Sequence, residues 1–377
     1  MPVWGDDLGV LRCDHHPPPD DPEPGASPPG GREPGGARSA AEILAWSRGL
    51  LDPALRDAVE TLPGTMRGIA AFHFGWLDEH GRPASGASGK AIRPALALLA
   101  ARAVGGTAES ALPAAVAAEL AHNFSLLHDD VMDGDLTRRH RPTAWTVYGT
   151  SAAVLAGDAL LAAAFEVLAG EAPGGASPAL PGAVRALARA VIELVEGQSA
   201  DLAFEERGDV TLDECVAMAN RKTGALLGAS CALGAAYGGG TPDQTAHLRA
   251  FGERLGLAFQ LVDDLLGIWG DPAATGKAVH ADLHTRKKSL PVVAALTSDT
   301  PAGAELAHLY LRDEPLTPAD AAHAATLIDA AGARTWAAAH ANTLLTTALE
   351  DLTAAAPTPV PATELKTLAH LVATRNH

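Results

Sequence analysis

Cysteines and aromatic residues are scarce in this sequence. Its 377 residues include three cysteines, Cys13, Cys215 and Cys231, and 4% of the chain is aromatic. Cysteines so few and so widely spaced exclude a disulfide framework and a structural zinc site, and they fit a reducing compartment. Ala and Leu instead recur at helical spacing, and no strand-rich segment appears. The composition therefore predicts an all-α, cytoplasmic protein.

An excess of positive charge is also missing. The formal net charge is −17, and because nucleic acids require a basic face, no nucleic acid partner is expected. The first residues include Asp6 and Asp7 and lack the apolar core of a signal peptide. The most apolar window, 152–169, contains Asp158 and Glu166, which favours a buried helix over a membrane span. We therefore expect neither export nor a transmembrane segment.

Proline and glycine are concentrated at the start of the chain. Residues 1–40 contain nine Pro and seven Gly, a composition typical of disordered segments. Ser39 can cap a helix that begins at Ala40. The sequence thus predicts a disordered tail over residues 1–38 and an all-helical domain over residues 39–377.

One apolar helical run ends in a group of acidic side chains. The group consists of Asp129, Asp130 and Asp133. On an α-helix Asp129 and Asp133 lie about 40° apart, and His122 falls on nearly the same face. Carboxylates this close repel one another unless a cation lies between them, and Mg²⁺ held by one or two carboxylates completes its shell with substrate phosphates. The run predicts a diphosphate site, with a solvated acidic helix end as the alternative.

A second acidic pair, Asp263 and Asp264, lies about 130 residues further along. Cations suited to phosphate binding occur near both acidic stretches. They are Lys90, Arg93, Arg138, Arg139, Lys222, Lys277 and Lys287. A surface-charge explanation would have to produce this combination several times by chance, so we interpret the two stretches as halves of one active site.

These motifs resemble those of the trans-type polyprenyl (isoprenyl) diphosphate synthase family, from about residue 66 to the C-terminus, and most of all a bacterial geranylgeranyl diphosphate synthase. The aspartate-rich motif DDxxD is complete at 129–133, and the family's glycine-lysine-arginine motif matches Gly89, Lys90 and Arg93. The resemblance implies the isoprenoid synthase fold, an antiparallel helix bundle around a central active-site cavity. It also implies a homodimer and three Mg²⁺ ions per active site.

The resemblance assigns a role to each matching residue. The implied metal ligands are Asp129, Asp130, Asp133, Asp263 and Asp264. The implied isopentenyl diphosphate ligands are Lys90, Arg93, His122 and Arg139. The implied allylic diphosphate ligands are Arg138, Lys222 and Lys277, and Thr223, Gln260 and Lys287 complete the substrate-binding set. The residues expected to carry catalysis are Asp129, Asp133, Arg138, Lys222, Asp263 and Lys277.

Two positions depart from the family pattern. Gly267 stands where many relatives have a third aspartate in the second motif, and His280 replaces a residue that is often glycine. The missing carboxylate at Gly267 would affect the strength of the third metal site, although Asp263, the first residue of that motif, is retained. We therefore still expect activity.

The implied reaction is the condensation of isopentenyl diphosphate with dimethylallyl, geranyl or farnesyl diphosphate. A lone aromatic, Phe124, five residues before Asp129 resembles the family's C20-forming pattern, so we predict geranylgeranyl diphosphate, with farnesyl diphosphate as the alternative. Phe124 and Ser125 are the expected chain-length residues. Helix geometry alone puts Phe124 about 140° from Asp129, so ordinary core packing is the other interpretation of this side chain.

Two further functions stay open. A class I terpene cyclase pairs the first motif with a polar triad at four-residue steps, and Asn342, Thr346 and Glu350 have that spacing. Any exposed helix face supplies such rows, however, and a cyclase has no use for an isopentenyl pocket. The other is a non-catalytic synthase-like subunit. The tail resembles extensions that act as loading tags in shell-encapsulated relatives, which indicates an encapsulin-like protein shell as a partner and as a location inside the cytoplasm.

Overall fold

The chain folds into helices, as its composition predicts. The computed structural model describes residues 36–84, 89–170, 182–272, 279–312 and 314–373. The predicted tail up to residue 35 and the predicted site residue Lys277 lie outside the described residues.

The helices before residue 210 include the one that carries the first acidic motif. They are α1 (Ala40–Glu60), α2 (Gly64–His73), α3 (Ile92–Ala103), a 3₁₀ turn (Glu109–Ala111), α4 (Leu112–Met132), α5 (Ala144–Tyr148), α6 (Thr150–Ala169) and α7 (Ala183–Glu206).

The later helices include the one that carries the second motif. They are α8 (Leu212–Ala219), a π-helical turn (Asn220–Gly224), α9 (Ala225–Tyr237), α10 (Pro242–Trp269), α11 (Ala281–His284), α12 (Leu290–Leu296), α13 (Pro301–Leu311), α14 (Pro318–Ala330), α15 (Ala333–Ala354) and α16 (Pro359–Ala373).

Local sequence determines where these helices begin. Ser39 caps α1 as predicted, because its hydroxyl accepts from the backbone N–H of Glu42 while the Glu42 carboxylate accepts from the Ser39 N–H. Thr241 and Gln244 form the same reciprocal cap at α10, with a proline in the first turn. Pro53 lies inside α1 without ending it.

A short hairpin follows α4, and its two strands are the only strands of two or more residues in the part of the chain that the structure describes. Thr137–Arg138 pairs antiparallel with Arg141–Pro142. The turn residues Arg139 and His140 have φ values of 53° and 61°. Two successive left-handed residues are typical of a type I′ turn, which glycine and asparagine usually supply. The sequence did not predict this hairpin, since a two-residue strand leaves no alternation to detect.

The core lies where α4 packs on α3, α6 and α9, and where α9 and α15 pack on α10. Small residues permit close helix approach here. A Cβ atom on Gly234 of α9 would lie 2.7 Å from the carbonyl carbon of Ala97 on α3, and one on Gly252 of α10 would lie 2.8 Å from the Cα of Gly228 on α9. This packing places the C-terminal halves of α4 and α10, with both acidic motifs, around the π-helical turn between α8 and α9.

Helix α6 carries the apolar window that was predicted to be buried. Of the described helices, it alone is long and apolar enough to cross a membrane, and 44% of that window is buried in the fold. The buried side packs on α4, whereas Leu155 is 54% exposed. The prediction that this helix is buried is therefore confirmed for the side that packs on α4, but not for the side that carries Leu155.

The start of the helical unit is fastened by an arginine. Arg38 donates from Nε and Nη2 to the buried carboxylate of Glu364, at 2.6 and 2.8 Å. Its guanidinium also lies 3.7 Å from the centre of the Trp46 ring. The predicted tail ended at residue 38, but these contacts join Arg38 to the helices, so we propose that the boundary lies just before it.

Candidate active site

The first acidic motif lies at the C-terminal end of α4. Asp129 is partly buried and Asp130 is 1% exposed, while Asp133 is the exposed residue that follows the helix. Burial raises the pKa of both Asp129 and Asp130 to about 6, against the opposing charges of Lys222 on Asp129 and Arg138 on Asp130. Any additional cation would stabilise the charged form of these buried carboxylates.

Arg138 is the nearest cation to this motif. Its Nε donates to Oδ1 of Asp130 at 2.5 Å, and its Nη2 lies 3.6 Å from Oδ2 of Asp135. The other carboxylate oxygen of Asp130, Oδ2, is buried and has no hydrogen-bond partner in the part of the chain that the structure describes. A buried carboxylate oxygen without a donor suits a metal ligand.

The predicted isopentenyl diphosphate residues gather beside the hairpin. A Cβ on Gly89 would lie 2.7 Å from Cζ of Arg139, so the absence of a side chain at Gly89 leaves room for the Arg139 guanidinium against the backbone. Arg48 donates to the carbonyl of Gly89 from the other side. The Nε of Arg93 is buried without a partner among the described residues, and Lys90 is exposed close by in sequence. The result is a cluster of cations around one short loop.

Two features of this cluster set its charge. Burial lowers the pKa of His122 well below its usual range, and the charges of Arg93 and Arg139 lower it further. His122 is therefore neutral at pH 7. Burial also lowers the pKa of Arg93, to about 10, although the carboxylate of Glu119 opposes the change. Arg93 thus keeps its charge and offers a free donor.

Glu119 is a site residue that the sequence analysis missed. It lies one turn before His122 on α4, is 6% exposed, and accepts from Nδ2 of Asn123 at 3.1 Å. Burial raises its pKa, while Asn123 and the charges of Arg93 and Arg139 oppose this. An acidic residue inside an otherwise apolar helical run was the signal available. Glu119 supplies the counter-charge that lets these arginines gather before any anion binds.

A narrow cleft of about 20 Å³ opens between the cation cluster and the first acidic motif. Its lining includes Asp130, Arg138, Arg139 and His73. His73 was also missed by the sequence analysis. Its Nε2 bonds to Oδ1 of Asn123 at 3.1 Å, and burial lowers its pKa to about 3, so the ring is neutral. The cleft is lined by positive and neutral groups beside one carboxylate, as an anion requires.

The second acidic motif lies on α10 and contains one tightly held carboxylate. Asp264 is 3% exposed, its Oδ1 accepts from Nε2 of Gln260 at 2.8 Å, and its Oδ2 accepts from the N–H of Leu290 at 2.9 Å. Gln260 in turn accepts from the Thr223 hydroxyl at 2.7 Å. Burial raises the pKa of Asp264 to about 7. Protein donors thus engage both oxygens of Asp264, while Asp263 occupies the adjacent, less buried position.

Lys222 lies on the π-helical turn between the two motifs. Its Nζ bonds to Oδ2 of Asp201 on α7 at 2.6 Å. Burial raises the pKa of Asp129 and Asp133, and the charge of Lys222 opposes that rise. Asp201 was not predicted as a site residue. A Cβ on Gly197 would lie 2.8 Å from the Cα of Lys222, so the bare backbone at Gly197 brings α7 against the turn. π-Helical turns are frequent at functional sites.

Lys287 connects the second motif to the same group. Burial opposes its charge, but the carboxylates of Asp264, Asp282, Asp201 and Asp263 outweigh this and raise its pKa above the usual range. Asp201 therefore acts on both Lys222 and Lys287. The structure brings the two predicted acidic stretches to one shared group of lysines.

The two predicted chain-length residues lie in the middle of α4. Phe124 is 6% exposed within the apolar core, and its ring lies edge-on to that of His128, with centroids 4.8 Å apart. The Ser125 hydroxyl donates to the carbonyl of His122 at 2.8 Å. Both positions are buried, as a wall of the interior requires.

One departure from the family pattern has a local explanation. His280 has a φ of 60°, a left-handed conformation that favours glycine. Its Nδ1 bonds to the carbonyl of Ile268, near the end of α10, at 2.8 Å. This bond compensates for the strained backbone and ties the segment that begins α11 to α10.

Comparison with known proteins gives a consistent result. The sequence profile of the family described as Polyprenyl synthetase matches residues 75–328. The chain is 46% identical over 342 residues, 90% of its length and 94% of the relative's, to a (2E,6E)-farnesyl diphosphate synthase of Mycobacterium tuberculosis. It is 45% identical over 290 residues, 77% of its length and 82% of the relative's, to a geranylgeranyl diphosphate synthase of the same organism.

A solved structure matches over a similar extent. The fold superposes on the crystal structure of a polyprenyl synthetase from Streptomyces coelicolor A3(2) with a TM-score of 0.83 and 45% identity. The match covers 88% of this chain and 99% of the other.

Proposed function

This chain belongs to the polyprenyl synthetase family, and we propose that it condenses isopentenyl diphosphate with an allylic diphosphate to make geranylgeranyl diphosphate. The predicted all-α isoprenoid synthase fold is confirmed, and so is the prediction that the chain is a prenyltransferase. The product length is our proposal, since relatives of nearly equal identity make C15 and C20 products.

One observation carries the proposal: carboxylates of both acidic motifs act on Lys287, Lys222 lies beside the first motif, and a separate cation cluster is close by. Two diphosphate groups need two positive pockets. The cluster around Arg93 and Arg139 suits the isopentenyl substrate, and Lys222 and Lys287, between the acidic motifs, suit the allylic substrate. A cyclase or a simple anion carrier needs only one of these pockets.

The residues present also fit magnesium. Among the described residues no group of three acidic, histidine or cysteine side chains is already close enough to hold an ion. Mg²⁺ nevertheless favours sites of one or two carboxylates completed by substrate phosphates, and the free oxygen of Asp130 fits such a site. We propose that Asp129, Asp130, Asp133 and Asp263 hold three ions with the allylic diphosphate, and that Asp264 acts by fixing Gln260.

Charge neutralisation explains the reaction. Bound Mg²⁺ would stabilise the negative charge that develops on the departing diphosphate. Lys222, Lys287 and Arg138 add fixed positive charge in the same place, so the bond between C1 and the diphosphate oxygen can break to give an allylic cation. Arg93, Arg139 and neutral His122 hold the isopentenyl diphosphate, whose double bond attacks that cation. The proton lost from the adduct goes to the departing diphosphate, so no protein base is required.

The test is product formation by the purified chain alone. With Mg²⁺, isopentenyl diphosphate and each of dimethylallyl, geranyl and farnesyl diphosphate, we expect prenyl transfer, and EDTA should abolish it. Turnover that resists EDTA would overturn the metal mechanism. No turnover with any allylic substrate would favour the non-catalytic subunit.

The cyclase alternative loses support from the position of its candidate triad. Asn342, Thr346 and Glu350 are all exposed on α15, and the Thr346 hydroxyl donates to the Asn342 carbonyl at 3.0 Å. Side chains that face solvent do not hold a metal over a buried substrate. Farnesyl diphosphate synthase remains the second candidate because of the 46% identity to such an enzyme.

Substitution in the isopentenyl pocket should change substrate affinity selectively. Arg93→Ala is expected to raise the KM for isopentenyl diphosphate with little change in kcat, since anchoring a diphosphate away from the reacting bond is uniform binding. Initial-rate kinetics with each substrate varied in turn measures this. Arg67→Ala, at an arginine paired with Glu60 on the surface, is the matched control. Selective loss of allylic affinity instead would mean that the two pockets are exchanged.

Chain length should respond to the buried positions on α4. Phe124→Ala is expected to shift products toward C25 or longer because it removes a ring from the interior, and Ser125→Phe should shorten them toward C15. Gas chromatography of the dephosphorylated alcohols measures both. The same product from wild type and both variants would place the floor of the cavity elsewhere.

We propose that the enzyme is a homodimer that pairs through α6 and α7. Leu155, Ile192 and Val195 are 54%, 66% and 49% exposed on these adjacent helices, an apolar surface that a monomer leaves in water. Ile192→Glu should then lower the mass measured by sedimentation equilibrium. An unchanged mass, or a monomeric wild type, would contradict this interface.

The N-terminal boundary can be tested separately. Deletion of residues 1–36 should leave the Tm and prenyl transfer unchanged, because a Pro/Gly-rich segment buries little surface. Arg38→Ala in the full chain should lower stability by about 1–3 kcal/mol, since the buried Glu364 carboxylate loses donors. Thermal unfolding of both variants checks this.

We propose that residues 1–36 dock on a protein shell in the cytoplasm. An unchanged set of co-purifying partners after their deletion would contradict this proposal.

A further inference from the structure

The second acidic motif lacks a side chain at its last position, and another carboxylate lies there. Asp263 and Gly267 are four residues apart on α10, so their Cβ positions would be neighbours about 5–6 Å apart on one helix face. A Cβ on Gly267 would lie 2.5 Å from Cγ and 2.9 Å from Oδ1 of Asp282. The Asp282 carboxylate thus occupies the space where a side chain at 267 would begin.

Asp282 is held in this place by the segment that follows α10. His280, left-handed and bonded to the carbonyl of Ile268, fixes the start of α11 against the end of α10. Asp282 lies in the first turn of α11 and is 9% exposed. Burial of a carboxylate is costly unless cations or donors compensate for it.

The same residue is linked to Lys287. The backbone N–H of Lys287 donates to the carbonyl of Asp282 at 2.9 Å, which closes a turn of six residues. The side-chain charge of Asp282 is also one of the four that act on the Lys287 ammonium. Asp282 is therefore connected both to the face of α10 that carries Asp263 and to the lysine assigned to the allylic diphosphate.

We propose that Asp282 completes the second acidic motif in space, supplying from α11 the carboxylate that Gly267 lacks and positioning Lys287 beside the magnesium and diphosphate held at Asp263. This inference rests on the proposed prenyl transfer. It also explains Gly267, since any side chain there would collide with Asp282. Asp282 acts by holding Lys287 and by adding negative charge beside Asp263, not by touching the substrate, so it is a positioning residue.

The experiment is an exchange of the two residues, measured without turnover. Thermal unfolding of the full chain is followed while Mg²⁺ is titrated in the presence of inorganic pyrophosphate, and the Mg²⁺ concentration at half of the maximal shift is recorded. The proteins are wild type, Asp282→Asn, Gly267→Asp and the double exchange Gly267→Asp with Asp282→Gly. Asp299→Asn, at an exposed aspartate, is the matched control.

Asp282→Asn keeps the shape and removes the charge, so its metal-free Tm should stay near that of wild type while the Mg²⁺ midpoint rises about 10-fold or more. Gly267→Asp alone should lower the metal-free Tm because its side chain collides with Asp282. The double exchange should bring the midpoint back to within about threefold of wild type, a coupling expected only of neighbouring residues with one role. Asp299→Asn should leave the midpoint unchanged.

Two results would overturn the inference: a wild-type midpoint in Asp282→Asn, or no Mg²⁺-dependent shift in wild type. If the double exchange does not fold, the Mg²⁺ midpoint of Asp282→Asn still tests the inference. The proposed function is judged separately by turnover, so an enzyme that shows the midpoint shifts but no prenyl transfer would keep the metal site and lose the reaction.

Discussion

Asp263→Asn is expected to lower kcat by about 10²–10³-fold, the size of effect seen when one group that stabilises developing charge is removed. Asp263 lies on α10 beside the buried Asp264, and its charge acts on Lys287. The amide keeps the volume but loses the charge that attracts Mg²⁺. Asp129→Asn should have a comparable effect from the opposite helix.

The two substrates should respond differently in this variant. The KM for isopentenyl diphosphate should stay near the wild-type value, because that pocket is built around Arg93 and Arg139. Asp243→Asn, at an exposed carboxylate in the first turn of the same helix, is the control and should leave kcat unchanged. Steady-state kinetics at saturating Mg²⁺ gives both constants. A kcat for Asp263→Asn within about threefold of wild type would remove this residue from the catalytic group.

Gly197→Ala is expected to impair the enzyme although it adds only one methyl group. The new Cβ would lie 2.8 Å from the Cα of Lys222, and neither backbone can yield without separating α7 from the π-helical turn. Overpacking of this kind costs about 1–3 kcal/mol. Separation also moves Lys222 away from Asp201 and from the allylic diphosphate, and a displacement of about 1 Å can lower kcat 10²-fold.

A second glycine provides the matched control. Gly49 lies exposed within α1 with no atom within 4 Å of where its Cβ would be. Gly49→Ala should therefore stabilise the protein by about 0.5–1 kcal/mol, through the helix propensity of alanine. Thermal unfolding and kcat, measured on both variants, separate the two cases. Equal behaviour of the two substitutions would contradict the close approach at Gly197.

The sequence predicts what local pattern and motif spacing encode. The helix that begins after Ser39 and the all-α fold followed from caps and from the spacing of Ala and Leu. The structure places Lys222 close enough to Asp129 for its charge to act on that carboxylate, and it places Arg93 near Glu119, which was not predicted. The roles of Arg93 and Lys222 in diphosphate binding stay predictions. Lys277 lies outside the described residues, so its role stays a prediction.

Other features depend on contacts between distant segments, which spacing does not reveal. Asp201 on α7 bonds to Lys222, which is 21 residues away on the π-helical turn. In the sequence Glu119 is an isolated acidic residue in an apolar run, and only the folded chain shows that Arg93 and Arg139 lie near it. Gly267 reads as a loss in the sequence, and only the folded chain shows the Asp282 carboxylate beside it.

The π-helical turn at Asn220–Gly224 has a consequence for how this region can change over evolution. A π turn contains about one residue more than an α turn, so the helix after it is rotated by about 100° from the phase set by α8. Deleting one residue there would restore a regular helix but swing Lys222 and Thr223 away from Asp201 and Gln260, or else rotate the small-residue face of α9 off α3. Substitutions can therefore accumulate on either side of the turn. A change in the length of the turn, by contrast, would shift Lys222 and Thr223 relative to the packed face of α9 in a single step.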